Sequence, residues 1–191
     1  MPLIDVGRKV PDFTLESDDG SSWTLSEQRG ITVLFVYPQD DTPGCTTEAC
    51  AFRDLASELA SMGAQAVGLS PDDGDSHRRF IKKHRLNLRL LVDRKDKSGA
   101  PKIAAKIGAW GEKMNYGKTY VGLIRMTYVI APDRTVLMRF DRVKATGHAE
   151  RVVESLRRSL DSKKKYYLLF GASGPFKLKR FEFRGERVAL L

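Results

Sequence analysis

Apolar positions along the chain fall into short runs of two different periods, and the breaks between the runs carry the Gly, Pro and Asp residues of turns. Residues 13–15 and 23–25 alternate apolar and polar around Asp18-Asp19-Gly20, which predicts a hairpin. Ser26 then opens a brief turn that ends at Gly30. Residues 31–37 are apolar at every position but Thr32 and rich in β-branched and aromatic side chains, the pattern of a strand covered on both faces. Past Pro38, Pro43 and Gly44 the period changes. Ala49, Phe52, Leu55, Ala56, Leu59 and Met62 recur at spacings of three and four, so a helix should open near Thr46 or Thr47 and stop at Gly63.

The remainder repeats the theme. Residues 64–69 read as a second buried strand closed by Ser70-Pro71, and residues 72–76 offer caps for a basic helix through His84. Residues 88–92 predict a third strand and residues 97–107 a short helix, with Pro101 near its start and Gly108 after its end. Residues 109–119, rich in Gly and charge, read as a surface loop. Residues 123–130 and 135–140 are strands joined by the turn chemistry of Ala131-Pro132-Asp133-Arg134. Residues 147–160 form an amphipathic helix with Val152, Val153, Leu156 and Leu160 on one face. The order β-α-β-α-β-α-β-β-α predicts an α/β sandwich with a mixed sheet between helices.

At 191 residues, with 41% hydrophobic and 30% charged residues, this is a globular chain able to bury a core of its own. It has no apolar stretch of membrane-spanning length, and residues 1–10 lack the apolar centre of a signal peptide, so a cytoplasmic protein is expected. The net charge of +9 is concentrated at one end, because residues 162–191 carry eight Lys or Arg and two Glu. The expected organisation is therefore one domain over residues 1–161 followed by a basic, aromatic extension over residues 162–191. In that extension, residues 166–170 and 176–184 could form a hairpin about the turn at 171–175 that joins a sheet edge or a second subunit. A nucleic-acid site is disfavoured there, since no recognised binding motif is present.

Cys45 and Cys50, the two cysteines of the chain, both lie in the strand-to-helix stretch. In a reducing compartment a pair of thiols is reactive, metal-binding or inert rather than a structural staple. The spacing C-x-x-x-x-C, with only His77, His84 and His148 elsewhere, matches no common zinc pattern, and these histidines are expected at the surface. Asp40 and Asp41 are expected to be solvated loop carboxylates rather than metal ligands. Cys45 should sit where strand gives way to helix, where free N–H groups and the positive end of the macrodipole favour a thiolate. An unperturbed cysteine thiol is only about 3% thiolate at neutral pH. Even a roughly thirtyfold gain in thiolate lowers a barrier by only about 2 kcal/mol, so a specialised catalyst needs a hydroxyl such as that of Thr42, and a cation, to orient the attacked group.

The run Pro38-x-x-x-Thr42-x-x-Cys45 resembles the active-site motif of the peroxiredoxins. Residues 37–54 (YPQDDTPGCTTEACAFRD), 13–30 (FTLESDDGSSWTLSEQRG) and 110–130 (WGEKMNYGKTYVGLIRMTYVI) look like the bacterioferritin-comigratory-protein (PrxQ) subfamily, a likeness covering about residues 5–160. That resemblance implies a thioredoxin-like fold, reduction of hydrogen peroxide or organic hydroperoxides, and no metal or organic cofactor. Cys45 would be the peroxidatic cysteine, Thr42 would hydrogen-bond thiolate and peroxide, and Pro38 and Pro43 would shape the pocket. Arg125, in the strand where the family carries its active-site arginine, would hold thiolate and peroxide together, with Glu48 fixing its guanidinium. Cys50 would resolve the sulfenic acid as an intramolecular disulfide that thioredoxin reduces. In an intact helix the two Cα atoms lie about 9 Å apart, beyond the reach of about 7 Å that a disulfide tolerates, so the first turns of that helix must unwind after oxidation.

Two other readings stay open at this level. Cys50 could be a small core residue in a one-cysteine peroxidase, or the domain could be a thioredoxin-like binding scaffold whose tail engages an anionic or protein partner. The expected assembly is a monomer or weak homodimer, with the tail able to mediate association.

Overall fold

The computed structural model describes the backbone of residues 3–115, 118–170, 179–183 and 186–190, with side chains for residues 3–114 and 119–162. Its first half runs β1 (Thr14–Ser17), β2 (Ser22–Thr24), β3 (Ile31–Val36), α1 (Pro43–Asp54), α2 (Ala56–Ser61), β4 (Ala64–Ser70), α3 (Gly74–His84) and β5 (Arg89–Val92). The second half runs α4 (Lys102–Lys106), β6 (Trp110–Asn115), β7 (Lys118–Leu123), β8 (Met126–Ile130), β9 (Val136–Phe140), α5 (His148–Phe170), β10 (Lys179–Phe183) and β11 (Glu186–Leu190). Among the described residues, seven strands form one sheet in the order β2-β1-β5-β4-β3-β8-β9. Strands β3, β4 and β5 pair in parallel, while β8, β9 and the β1–β2 hairpin are antiparallel. This is the mixed sheet that the apolar pattern predicts.

β3 explains why both faces are covered. Its alternate side chains point to opposite sides. Val33 and Phe35 join a cluster with Phe52 of α1, Leu59 of α2, Phe80 of α3 and Val152 and Leu156 of α5. Leu34 and Val36 join Val10, Trp23, Ile103, Ile107 and Tyr128 on the other side. The Phe35 ring stacks on Phe52 with centroids 4.8 Å apart and on Tyr37 at 5.6 Å. Gly68 makes room for this stack: a Cβ there would come within 2.6 Å of Leu90 Cδ2 and 2.9 Å of Phe35 Cζ.

Several expectations are corrected. The helix expected to run unbroken to Gly63 is interrupted at Leu55 (φ −93°, ψ 3°), and α1 and α2 keep the apolar spacing only because both pack on the same cluster. Residues 110–115 and 118–119 are not a loop: β6 and β7 pair from Trp110↔Leu123 to Asn115↔Lys118 as a separate ribbon, whose alternation is blurred because Gly111, Lys113 and Gly122 are half-buried while Met114, Tyr120 and Val121 are exposed. Residues 123–130 are not one strand either. The chain leaves the ladder at Ile124 and Arg125, where Ile124 N–H donates to the Ala109 carbonyl and the Arg125 carbonyl accepts from Val143. The helix expected over residues 97–107 shrinks to α4, because Asp96 and Ser98 take up the preceding residues as a turn.

α5 crosses residue 161 without a break, so Tyr166 and Phe170 belong to a helix and not to a hairpin strand. A hairpin does form further along, between β10 and β11, while the turn expected at 171–175 lies outside the described residues. Among the described residues no helix is long and apolar enough to cross a membrane.

Candidate active site

Helix α1 starts earlier than the apolar spacing implied. Thr42 is its extended N-cap residue (φ −85°, ψ 150°) and Pro43 occupies the first turn, where a missing N–H costs nothing and a fixed φ suits the helix. Cys45 is therefore inside the first turn of α1 rather than ahead of it, and it is 1% exposed. The departure of residues 124–125 from the ladder brings a long-range partner to it: Arg125 Nη2 donates to Cys45 Sγ at 3.0 Å. The other arm of the same guanidinium, Nη1, donates to Glu48 Oε2. Glu48 lies three residues after Cys45 on the same helical face and is fully buried. Burial pushes its pKa up to about 7, against the pull of Arg125. Burial also opposes the charge on Arg125, but Glu48 and Cys45 outweigh it and its pKa rises above the ordinary guanidinium value. Glu48 Oε1 has no hydrogen-bond partner among the described residues.

The other predicted residues are arranged differently. Thr42 turns its hydroxyl to the Gln39 carbonyl at 3.2 Å, within its own loop, and not to Cys45. Pro38 is half-buried at the start of that loop, and Pro43 is exposed. Cys50 is half-buried at the margin of the cluster that contains Cys45, and both thiols are free. The sequence thus brings Cys45, Arg125 and Glu48 into contact. It leaves Cys50 further along an unbroken helix.

A second layer escaped sequence reasoning. Asp40, expected to be solvated, is buried, and its carboxylate accepts from Tyr37 Oη at 2.7 Å and Ser76 Oγ at 2.8 Å and faces His77 Nδ1 at 2.8 Å. Its backbone N–H donates to Asp72 Oδ2, which also accepts from Ser70 Oγ. Burial holds the Tyr37 phenol far above its ordinary pKa, so it remains a donor. This network fixes the loop of Pro38 and Thr42 from below. His77 and His148 are completely buried, contrary to the surface expectation, because each finds a polar partner inside. His148 Nε2 lies 2.8 Å from Thr127 Oγ1, with its ring edge-on to Phe52 and Phe140. Burial drives its pKa down to about 3, helped by Arg151 and Arg125, so it is neutral at physiological pH. No sequence spacing signals the His77–Asp40 and His148–Thr127 pairs, since each joins residues more than twenty positions apart.

A buried thiol against a guanidinium on the first turn of a helix is an arrangement for stabilising negative charge on sulfur and on whatever the sulfur attacks. The model of the AhpC/TSA family matches residues 6–139. The chain belongs to the AhpC/TSA family. Among its AhpC/TSA relatives, peroxiredoxin Bcp of Bacillus subtilis is 38% identical over 155 residues, covering 81% of this chain and 96% of that protein. The crystal structure of peroxidoxin BcpB from Mycobacterium tuberculosis superposes with a TM-score of 0.68 at 36% identity, covering 80% and 96% of the two chains. A structure of the bacterioferritin comigratory protein of Xanthomonas campestris, described in terms of alkyl peroxide reduction, superposes with a TM-score of 0.72 at 31% identity, covering 81% and 98%. The thioredoxin-like fold and the peroxiredoxin resemblance read from the sequence are both borne out by these matches.

Proposed function

We propose that this peroxiredoxin reduces hydrogen peroxide and organic hydroperoxides with thioredoxin as its reductant, using Cys45 as nucleophile and Cys50 as resolving cysteine. The observation that carries the reading is the 3.0 Å contact of Arg125 Nη2 with Cys45 Sγ inside the first turn of α1. The Cys45 thiolate attacks one peroxide oxygen: an S–O bond forms, the O–O bond breaks, sulfur loses two electrons, and the leaving alkoxide or hydroxide takes up a proton. Arg125 holds sulfur and peroxide together and stabilises the leaving charge. Thr42 rotates its hydroxyl from Gln39 to the peroxide, Pro38 and Pro43 shield the pocket, and Glu48 keeps the guanidinium aimed.

The Cys50 thiolate then attacks the sulfenic sulfur of Cys45. The S–S bond forms, the S–O bond breaks, and hydroxide departs as water after protonation. Because α1 is continuous from Pro43 to Asp54, the two Cα atoms stand about 9 Å apart and the opening turns must unwind for this step. Residues 1–161 carry this chemistry, and residues 162–191 are accessory and able to mediate association in a protein otherwise monomeric or weakly dimeric.

A coupled assay with thioredoxin, thioredoxin reductase and NADPH tests the reading. Cys50→Ser should complete one turnover of peroxide and then fail to cycle. Undiminished cycling would make this a one-cysteine enzyme, and a trapped disulfide with residues 45–50 still helical would remove the unwinding step. Removal of residues 162–191 should leave the rate unchanged.

A further inference from the structure

The far end of α1 has an anchor with no part in the chemistry described so far. Arg53 lies three residues after Cys50, on the same face of the helix. Its Nη1 donates at 2.6 Å to the carbonyl of His84, the last residue of α3, and its Nε donates to Asp54 at 2.8 Å. A helix C-terminus exposes carbonyls without intrahelical partners and carries the negative end of the macrodipole, so it is a natural seat for a guanidinium. The same end of α3 grips the chain ahead of α1. Lys83 Nζ donates to Asp41 Oδ2 at 2.6 Å, and His84 Nε2 lies 2.7 Å from Asp41 Oδ1. Asp41 is held at φ 56° and Arg85, the C-cap of α3, at φ 51°, a left-handed geometry that such residues keep only where neighbours impose it.

Residues 42–52, which contain both cysteines, are thus a segment pinned at both ends to residues 83 and 84. The Asp54 hydrogen bond raises the pKa of Arg53 despite partial burial, with Cys50 a further cause of the rise.

We infer that Arg53 is a positioning residue for the resolving step: anchored on the end of α3, it stops the unwinding of α1 short of its last turn and holds the Cys50 sulfur beside a fixed cation. This inference rests on the proposed role of Cys50. As the first turns open, Asp41 keeps the entry loop in place and Arg53 keeps the exit in place, so Cys45 swings toward Cys50 and not the reverse. The guanidinium also faces the negative charge of the Cys50 thiolate while it attacks. Neither duty touches the peroxide.

Rapid-quench mass spectrometry after one equivalent of hydrogen peroxide separates the steps, because it counts sulfenic acid and disulfide independently. Arg53→Gln should form the Cys45 sulfenic acid within about twofold of the wild-type rate and the disulfide about tenfold or more slowly, as expected when a reacting group loses its placement. Arg53→Lys, which keeps a cation able to donate to the His84 carbonyl, should recover disulfide formation to within about threefold of wild type. Disulfide formation at the wild-type rate in Arg53→Gln, equal slowing of both steps, or no recovery in Arg53→Lys would each overturn the role. A wild-type enzyme that accumulates sulfenic acid and never forms the Cys45–Cys50 disulfide would instead remove the resolving role of Cys50 on which the inference stands.

Discussion

The two cysteines share one helix, yet the two ends of that helix are built on different principles. Around Cys45, itself 1% exposed, the contacts are long-range: Arg125 comes from the gap between β7 and β8, and the loop beneath is tied by Asp40 to His77 of α3. Around Cys50 the chain is half-exposed and local, with Arg53 on the next turn and a single hydrogen bond to the end of α3. A site that must stabilise charge benefits from a dry, fixed surrounding, where electrostatic interactions are strong. In the proposed resolving step the opening turns that cradle Cys45 are the ones that unwind, so the fixed point of that movement lies at the other end, where Arg53 ties the helix to α3.

The largest effect that would sharpen the contrast is at Arg125. Arg125→Ala should lower the second-order rate of peroxide reduction about a thousandfold, roughly 4 kcal/mol, while the alkylation rate of Cys50 stays within about twofold. Stopped-flow kinetics on the variant check the first figure and iodoacetamide labelling the second. Slowing of both would mean that the two ends are not separable.

Next comes His148, packed behind the Cys45 end. Its folded pKa of about 3 lies below the unfolded value of about 6.5, so its stabilisation is fully present above about 6.5 and is lost as pH falls toward about 3. Urea denaturation should show a loss of several kcal/mol over that window in wild type and a flatter profile in His148→Asn.

Glu48 has the opposite sign. Its folded pKa, raised to about 7, gives stability that is complete below the unfolded value of about 4.5 and declines as pH rises through about 7. Removing this carboxylate in Glu48→Gln should make stability climb more steeply with pH between 4.5 and 7, by on the order of 3 kcal/mol, because the opposing slope disappears. The loop support is smaller. Tyr37→Phe deletes one buried hydrogen bond to Asp40 and should cost about 1–2 kcal/mol in the same titration. Smallest of all is Asp54→Ala, which breaks an exposed pair with Arg53 and should change stability by less than about 0.5 kcal/mol. A cost above about 2 kcal/mol there would show the Cys50 end to be as rigidly built as the other.

Sequence legibility follows the same division. Period and punctuation located β3, β4, the β8–β9 hairpin and the amphipathic start of α5, since burial on two faces or one leaves a direct mark on residue choice. The ribbon of β6 and β7 was missed because it lies outside the main sheet, where Gly, Lys and Glu are tolerated. The motif around Cys45 was readable, as was Arg125 through the family resemblance, but its departure from the strand was not. That bend depends on hydrogen bonds to Ala109 and Val143, distant in sequence. Asp40, His77 and His148 were misread as surface groups for the same reason: a polar residue is assigned to solvent unless its buried partner is known. Arg53 was visible in the sequence as a charged helix residue and nothing more, because the carbonyl it binds belongs to another helix.

The most direct test uses peroxide consumption with dithiothreitol as the only reductant, so that no partner protein is required, and compares wild type with Cys45→Ser. The wild-type protein should consume many equivalents of hydrogen peroxide, and Cys45→Ser should fall to the rate of dithiothreitol and buffer alone. Equal rates for the two proteins would contradict the assignment of Cys45 as the attacking thiolate.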